Sequence, residues 1–64
     1  MELLFDNNDQ KQIYETIKSH IDVHKKIKGC DIFLPIRMDI IYQEIINLEN
    51  KGYIHCDEFG WISL

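Results

Sequence analysis

Five side chains with metal-binding chemistry are scattered along the sequence. His20 and His24 are four residues apart, which would place both imidazoles on one face of a continuous helix, as in several metal sites. Cys30, His55 and Cys56 follow without a Cys-x-x-Cys pair, and the spacings match no standard zinc pattern. We therefore interpret the histidines as surface residues and the thiols as small buried apolar groups, and predict neither a metal nor another cofactor.

The residues of covalent catalysis form no recognisable set. Ser19 and Ser63 lie in no nucleophile motif, and the three glycines are isolated, so the sequence contains no glycine-rich phosphate loop. A chain of 64 residues also has little room for a ligand pocket of about 300 Å³ or more. The sequence favours a binding protein over an enzyme.

Basic residues are concentrated in the middle of an acidic chain. The net charge is −4, from seven Lys and Arg against eleven Asp and Glu, whereas nucleic-acid-binding domains usually carry a basic excess. Lys25, Lys26 and Lys28, with Arg37, could still contact phosphates. The alternative is a solvated loop that balances nearby acids.

The C-terminal segment combines aromatic and acidic residues. Alternation along a strand should point Trp61 away from the face that carries Ile62. Trp61 and Phe59 would then form an exposed anchor of the kind that dominates protein interfaces. The alternative is that Trp61 packs on Tyr53 or on residues 3–5 and enlarges the core.

Two helices are predicted to position these groups. Asn and Asp at positions 6–9 are typical of a helix start, and apolar residues then recur at helical spacing, which predicts a helix over 8–21. Residues 22–29, ending in Gly29, are either a short second helix or an extension of the first. Residues 31–35 are predicted to be extended because Pro35 disfavours helix at the preceding residue.

The second long helix is predicted over 36–50, with Gly52 closing it. Two strands, 53–56 and 61–64, should follow, joined by a type I turn with a bulge at 57–60. In the helix, one face is predicted to be apolar through Met38, Ile41, Tyr42, Ile45, Ile46 and Leu48. The opposite face is predicted to carry Asp39, Ile40, Gln43, Glu44, Asn47 and Lys51.

The run Leu48-Glu49-Asn50-Lys51-Gly52-Tyr53-Ile54 followed by a hairpin resembles the end of a winged-helix domain. The resemblance is close over residues 48–64 and elsewhere covers only the order of elements. It implies that the preceding helix is a recognition helix set in the DNA major groove and that the hairpin is a wing that touches the phosphate backbone. We accordingly expect one α+β domain over 1–64, winged-helix-like, with two or three helices and a C-terminal β-hairpin.

Composition restricts the setting of this domain. No apolar run is long enough to span a membrane, and residues 1–5 lack the features of a signal peptide, so we expect a cytoplasmic protein with reduced cysteines. The heavy use of Ile, Lys and Asn is typical of AT-rich bacterial or phage genomes. A chain this short buries only about 60% of the surface that its unfolded form exposes, so its stability alone would be marginal.

Two function hypotheses follow from these patterns. The first is a phage or mobile-element regulator that acts by binding another protein or itself, suggested by the net acidity, the acidic turn and the aromatic hairpin. The second is a DNA-binding transcriptional regulator of winged-helix type, for which a dimer is expected. The protein-binding candidates are Tyr53, Asp57, Glu58, Phe59 and Trp61, and the DNA-binding candidates are Lys25, Lys26, Lys28, Arg37, Gln43, Asn47 and Lys51.

Overall fold

The computed structural model describes residues 3–64 and contains two helices and one small antiparallel sheet. Met1 and Glu2, which belong to the segment used to argue against a signal peptide, lie outside the described residues. The strand order in the sheet is β1-β3-β2. The predicted α+β class is confirmed. The elements are α1 Asn8–His24, β1 Ile27–Lys28, a 3-10 turn Gly29–Asp31, α2 Met38–Asn50, β2 His55–Cys56 and β3 Trp61–Ser63.

Helix α1 starts where the sequence predicts and ends three residues later than predicted. The side chain of Asn7 accepts a hydrogen bond from the backbone N–H of Gln10 at 2.7 Å, which caps the first turn. The helix ends at His24; the next residue, Lys25, has a φ of 75°, and its N–H donates to the carbonyl of Ile21. The expected role of Gly29 as the residue that follows a helix end was wrong, because Lys25 occupies the left-handed position.

The remainder of the uncertain segment forms a strand that the sequence pattern did not reveal. Ile27 pairs with Ile62 and Lys28 pairs with Trp61, so β1 adds a third strand to the hairpin. No second helix forms between α1 and α2 apart from the short 3-10 turn that begins at Gly29. The predicted extended segment 31–35 forms no strand, although Ile32 has extended backbone angles and is buried.

Helix α2 begins two residues after the predicted start and ends as predicted. Arg37 precedes the first turn and Pro35 lies outside the helix. At the other end Gly52 has a φ of 80°, and the N–H of Tyr53 returns to the carbonyl of Leu48 at 3.1 Å. A glycine is favoured at such a position because other residues pay a steric cost for positive φ.

The hairpin turn also forms as predicted. Gly60 has a φ of 86°, and its N–H donates to the carbonyl of Asp57 at 3.1 Å. The Asp57 carboxylate accepts hydrogen bonds from the N–H groups of Phe59 and Trp61, each at 2.9 Å. Both ends of the turn are therefore held by residues whose types predicted it.

One cluster of branched aliphatic side chains lies between the two helices and the sheet. Burial of these groups is the main stabilising contribution in a domain of this size. The cluster consists of Ile13, Ile17, Ile27, Ile32, Ile41, Ile45, Leu48, Ile54 and Ile62.

Candidate functional site

The two flanks of α2 have opposite chemistry. Met38, Tyr42 and Ile46, each four residues apart, form an exposed stripe that we call the apolar flank. Glu44 and Asn47 lie on the other side, which we call the polar flank, and Glu44 is only 7% exposed. The sequence pattern predicts one apolar face that includes Met38, Tyr42 and Ile46 and an opposite face that includes Glu44. The structure instead leaves the three apolar side chains exposed and buries Glu44.

Burial of Glu44 has a specific cause in the N-terminal segment. Its carboxylate accepts hydrogen bonds from the side-chain amides of Asn7 at 2.7 Å, Asn47 at 2.7 Å and the fully buried Gln10 at 3.4 Å. A buried carboxylate is tolerated when several donors satisfy it. The polar flank is therefore an internal contact that joins α2 to the start of α1.

Three residues predicted to read DNA bases or phosphates take part in internal contacts. The ammonium group of Lys51 lies 2.9 Å from a carboxylate oxygen of Asp6, and the carboxylate that lies beside it raises the pKa of Lys51. The Asn47 amide donates to Glu44, as described above, and Gln43 donates to Asn47 at 3.4 Å. Asn47 and Lys51 therefore contact other residues of the chain, while the contact of Gln43 stays on the exposed surface of α2.

The apolar flank borders a small open cleft between α2 and the hairpin, which we call the helix–hairpin cleft. Its volume is about 150 Å³, and its lining is almost entirely apolar. The cleft is narrow at Gly29 because a Cβ there would lie 2.9 Å from Cε1 of Tyr42. The lining residues are Gly29, Tyr42, Ile45, Cys56, Gly60 and Ile62.

Cys56 contributes a thiol group to the lining of this cleft. Burial raises the pKa of its thiol to about 11, and the nearby Glu49 and Asp57 carboxylates add to the shift. The backbone N–H of Cys56 donates to a carboxylate oxygen of Glu49 at 2.9 Å. A thiol that stays protonated at neutral pH is a weak nucleophile, so this environment suits packing rather than covalent chemistry.

The three aromatic residues predicted to bind protein are separated in the structure. Phe59 at the turn is 72% exposed. Tyr53 instead packs edge-on against the rings of Phe5 and Tyr14, and its hydroxyl donates to the carbonyl of Leu4 at 3.0 Å. Tyr53 therefore ties the N-terminal segment to the hairpin.

Trp61 occupies neither of the two environments that the sequence suggested. Its ring is half-buried beneath the ammonium groups of Lys26, 4.5 Å from the ring centre, and Lys28, at 4.7 Å. Cation–π contact of this kind is attractive by about 0.5–1 kcal/mol at exposed sites. Two of the predicted phosphate-binding lysines thus lie together on the outer face of the hairpin.

The other charged candidates remain on the surface. Arg37 forms an ion pair with Asp39 at 3.2 Å, and both side chains are largely exposed. Lys25 terminates α1, and Glu58 is exposed at the turn. Asp57 contributes charge at the turn, while one of its carboxylate oxygens, Oδ1, accepts hydrogen bonds from the backbone N–H groups of Phe59 and Trp61.

The histidine pair lies on α1, which continues through His24. The ring centres of His20 and His24 are 4.6 Å apart, and with Thr16, Ser19 and Val23 they line a depression of about 400 Å³. All five residues belong to one side of one helix, so a ligand there would be enclosed on one side only. Within residues 3–64 no group of three metal-ligating side chains is assembled.

The cysteines differ from the expectation that both are buried. Cys30 is exposed and Cys56 half-buried, and neither is in a disulfide.

Comparisons with family models, curated proteins and solved structures gave no significant match. Among the helices of the described part of the chain, none is both long and apolar enough to cross a bilayer.

Sequence reasoning missed the apolar flank as a candidate site, although a signal was present. The predicted stripe on α2 contained Tyr42 and Ile46 beyond the residues needed for one core-facing face. Such a wide stripe indicates that some apolar side chains remain outside the core. In the structure Tyr42 and Ile46 are about half exposed, and Tyr42 also lines the helix–hairpin cleft.

Proposed function

We propose that this chain is a non-enzymatic binding module that docks another protein on the apolar flank of α2 and the adjoining helix–hairpin cleft. The observation that carries the proposal is the exposure of Tyr42 and Ile46, 46% and 52%, on a helix face whose Tyr42 also lines an apolar cleft. Large apolar side chains gathered around a concave surface are typical of interaction sites. Phe59, which precedes the cleft residue Gly60, is a further large apolar side chain that is exposed.

A role as a phage or mobile-element regulator is compatible with this mode of action. The net charge of −4 and the acidic hairpin turn favour a protein partner over a phosphate backbone. The protonated Cys56 thiol is consistent with a surface that binds without catalysis. Cytoplasmic location and phage origin remain part of the proposal.

DNA binding by a winged-helix-like domain is the second candidate. It is supported by the hairpin that follows α2 and by Lys26 and Lys28, which lie together over Trp61 on the outer face of the hairpin. The 3-10 turn at Gly29–Asp31 occupies the place where the resemblance implies a further helix. The internal contacts of Asn47 and Lys51 favour the protein-binding proposal over this one.

The two candidates are separated by capture from an extract of the source cells with the native protein as bait, with and without nuclease. We expect one stoichiometric protein that survives nuclease treatment. Its capture should be lost with the double variant Tyr42→Ser/Ile46→Ser. A matched control is Val23→Ser, because Val23 is 72% exposed on α1 and also apolar.

The opposite outcome is equally well defined. Recovery of DNA that disappears at moderate salt and with the triple variant Lys25→Ser/Lys26→Ser/Lys28→Ser would favour the second candidate. Retention of the captured protein by Tyr42→Ser/Ile46→Ser would contradict docking on the apolar flank.

A further inference from the structure

The size of the helix–hairpin cleft restricts what can occupy it. A volume of about 150 Å³ is well below the roughly 300 Å³ of the smallest usual small-molecule sites. The wall is formed mainly by aliphatic and aromatic groups, and it is open at Gly60, where no side chain or backbone atom would lie within 4 Å of a Cβ. A space of this size and lining suits one apolar side chain inserted by a larger partner.

The charges around the cleft are negative. Glu49 holds the backbone of Cys56 within the cleft wall, and Asp57 follows Cys56 directly. Besides burial, both carboxylates raise the pKa of the Cys56 thiol, and Cys56 is part of the cleft wall. Glu58 adds a third carboxylate at the exposed turn.

Two lysines that precede Gly29 in sequence lie over the opposite face of β3 from the cleft. Lys26 and Lys28 place their ammonium groups over Trp61. Side chains of successive strand residues point to opposite faces, so Trp61 is directed away from Ile62, which lines the cleft. The six residues that line the cleft include no basic side chain.

We infer that the partner inserts an aliphatic or aromatic side chain into the helix–hairpin cleft from a segment that carries flanking lysine or arginine residues. The inference rests on the proposed protein-binding function and specifies the chemistry of its partner. The apolar side chain supplies the burial, and basic neighbours complement the carboxylates of Glu49, Asp57 and Glu58. Such pairing at the edge of an interface acts mainly on specificity and on the rate of association.

The test uses a random peptide library displayed on phage and selected on the immobilised native protein, with the double variant Tyr42→Ser/Ile46→Ser for counter-selection. We expect enriched peptides that combine a large apolar residue with net positive charge. Their affinity should fall about three- to tenfold with Glu49→Gln/Glu58→Gln. Their affinity for the native protein should also fall as ionic strength rises. The Glu49→Gln change keeps an acceptor for the Cys56 N–H, and Glu15→Gln, on the exposed surface of α1, is the matched control.

Several outcomes would overturn the inference. Neutral or acidic enriched peptides, or no enrichment over the counter-selected variant, would do so. So would self-association of the native chain in sedimentation that Tyr42→Ser/Ile46→Ser abolishes, since the occupant would then be a second copy.

The captured natural partner separates this inference from the proposed function. Capture that is lost with Tyr42→Ser/Ile46→Ser but insensitive to Glu49→Gln/Glu58→Gln and to salt would overturn the positively charged partner while leaving protein binding intact. Capture that is insensitive to both sets of changes would contradict the proposed function itself.

Discussion

The two flanks of α2 reverse the usual distribution of residues. On the polar flank, Glu44 is buried and satisfied by three amides, whereas on the apolar flank Tyr42 and Ile46 are about half exposed. The difference shows that residue polarity alone does not decide burial in so small a domain. Polar groups become structural when donors from another element reach them, and apolar groups remain exposed when the core is already filled.

This comparison also separates stability from binding. Changes on the polar flank should act on the free energy of unfolding, since its contacts are internal. Changes on the apolar flank should act on partner binding and leave folding nearly unaltered.

The largest expected effect is that of Glu44→Leu. The replacement leaves the buried amide of Gln10 with a poorer partner and removes the shared acceptor of Asn7 and Asn47. We expect a loss of about 2–3 kcal/mol in the free energy of unfolding, because unsatisfied buried donors carry a desolvation penalty. Urea denaturation measures it.

The matched control for this change is Ile46→Ser on the apolar flank, which should alter the free energy of unfolding by about 0.5 kcal/mol or less. Equal losses for Glu44→Leu and Ile46→Ser would contradict the distinction between the two flanks.

A second change tests how closely the 3-10 turn approaches the apolar flank. In Gly29→Ala the new methyl group would lie 2.9 Å from Cε1 of Tyr42 and 3.2 Å from Cδ1 of Ile45. We expect a loss of about 1–2 kcal/mol, at the lower end of the usual cost of overpacking because the Tyr42 ring is partly exposed and can move.

Because the closest contact of the new methyl group is with the Tyr42 ring, Gly29→Ala should cost less in a Tyr42→Ala background. A thermodynamic cycle of the four proteins measures this coupling. Additive losses would show that the turn does not press against Tyr42.

The elements that could be predicted from the sequence are those determined by nearby residues. Asn7 caps α1, Gly52 ends α2, and Asp57 with Gly60 forms the turn, and each acts on backbone groups a few positions away. Strand β1 could not be predicted because two residues carry no alternation, and Ile27 acquires its pairing only from the distant Ile62.

The candidate site was less predictable for the same physical reason. Burial of Glu44 depends on amides of the N-terminal segment, and the helix–hairpin cleft depends on how Gly29 and the hairpin meet α2. The residue types of α2 alone do not predict which distant residues will contact it. The three aromatic candidates of the hairpin therefore have different surroundings. Phe59 lies at the turn, Tyr53 packs in an aromatic cluster, and Trp61 lies beneath two lysines.

A third prediction asks which face of the hairpin is positively charged. Lys26 and Lys28 over Trp61 should attract anions. The ratio of iodide quenching to acrylamide quenching of Trp61 fluorescence should therefore be higher in the native chain than in Lys26→Gln/Lys28→Gln. The double variant should also lose about 0.5–1 kcal/mol of stability for each contact. Unchanged iodide quenching would place the ammonium groups away from the ring.

The smallest effect is expected at the exposed ion pair that adjoins the polar flank. The hydrogen bond from Lys51 lowers the pKa of Asp6 from its ordinary value of 3.8, and the deprotonated form is thereby favoured in the folded chain. Because the folded pKa is the lower one, this contribution is present above pH 3.8 and is lost as the pH falls through the folded value. In Lys51→Met the Asp6 pKa should move back toward 3.8, and an NMR titration of Asp6 measures it. Added salt should reduce the lowering of the Asp6 pKa in the native chain, as expected of an exposed ion pair. An Asp6 pKa that is the same in the native chain and in Lys51→Met would contradict the contact.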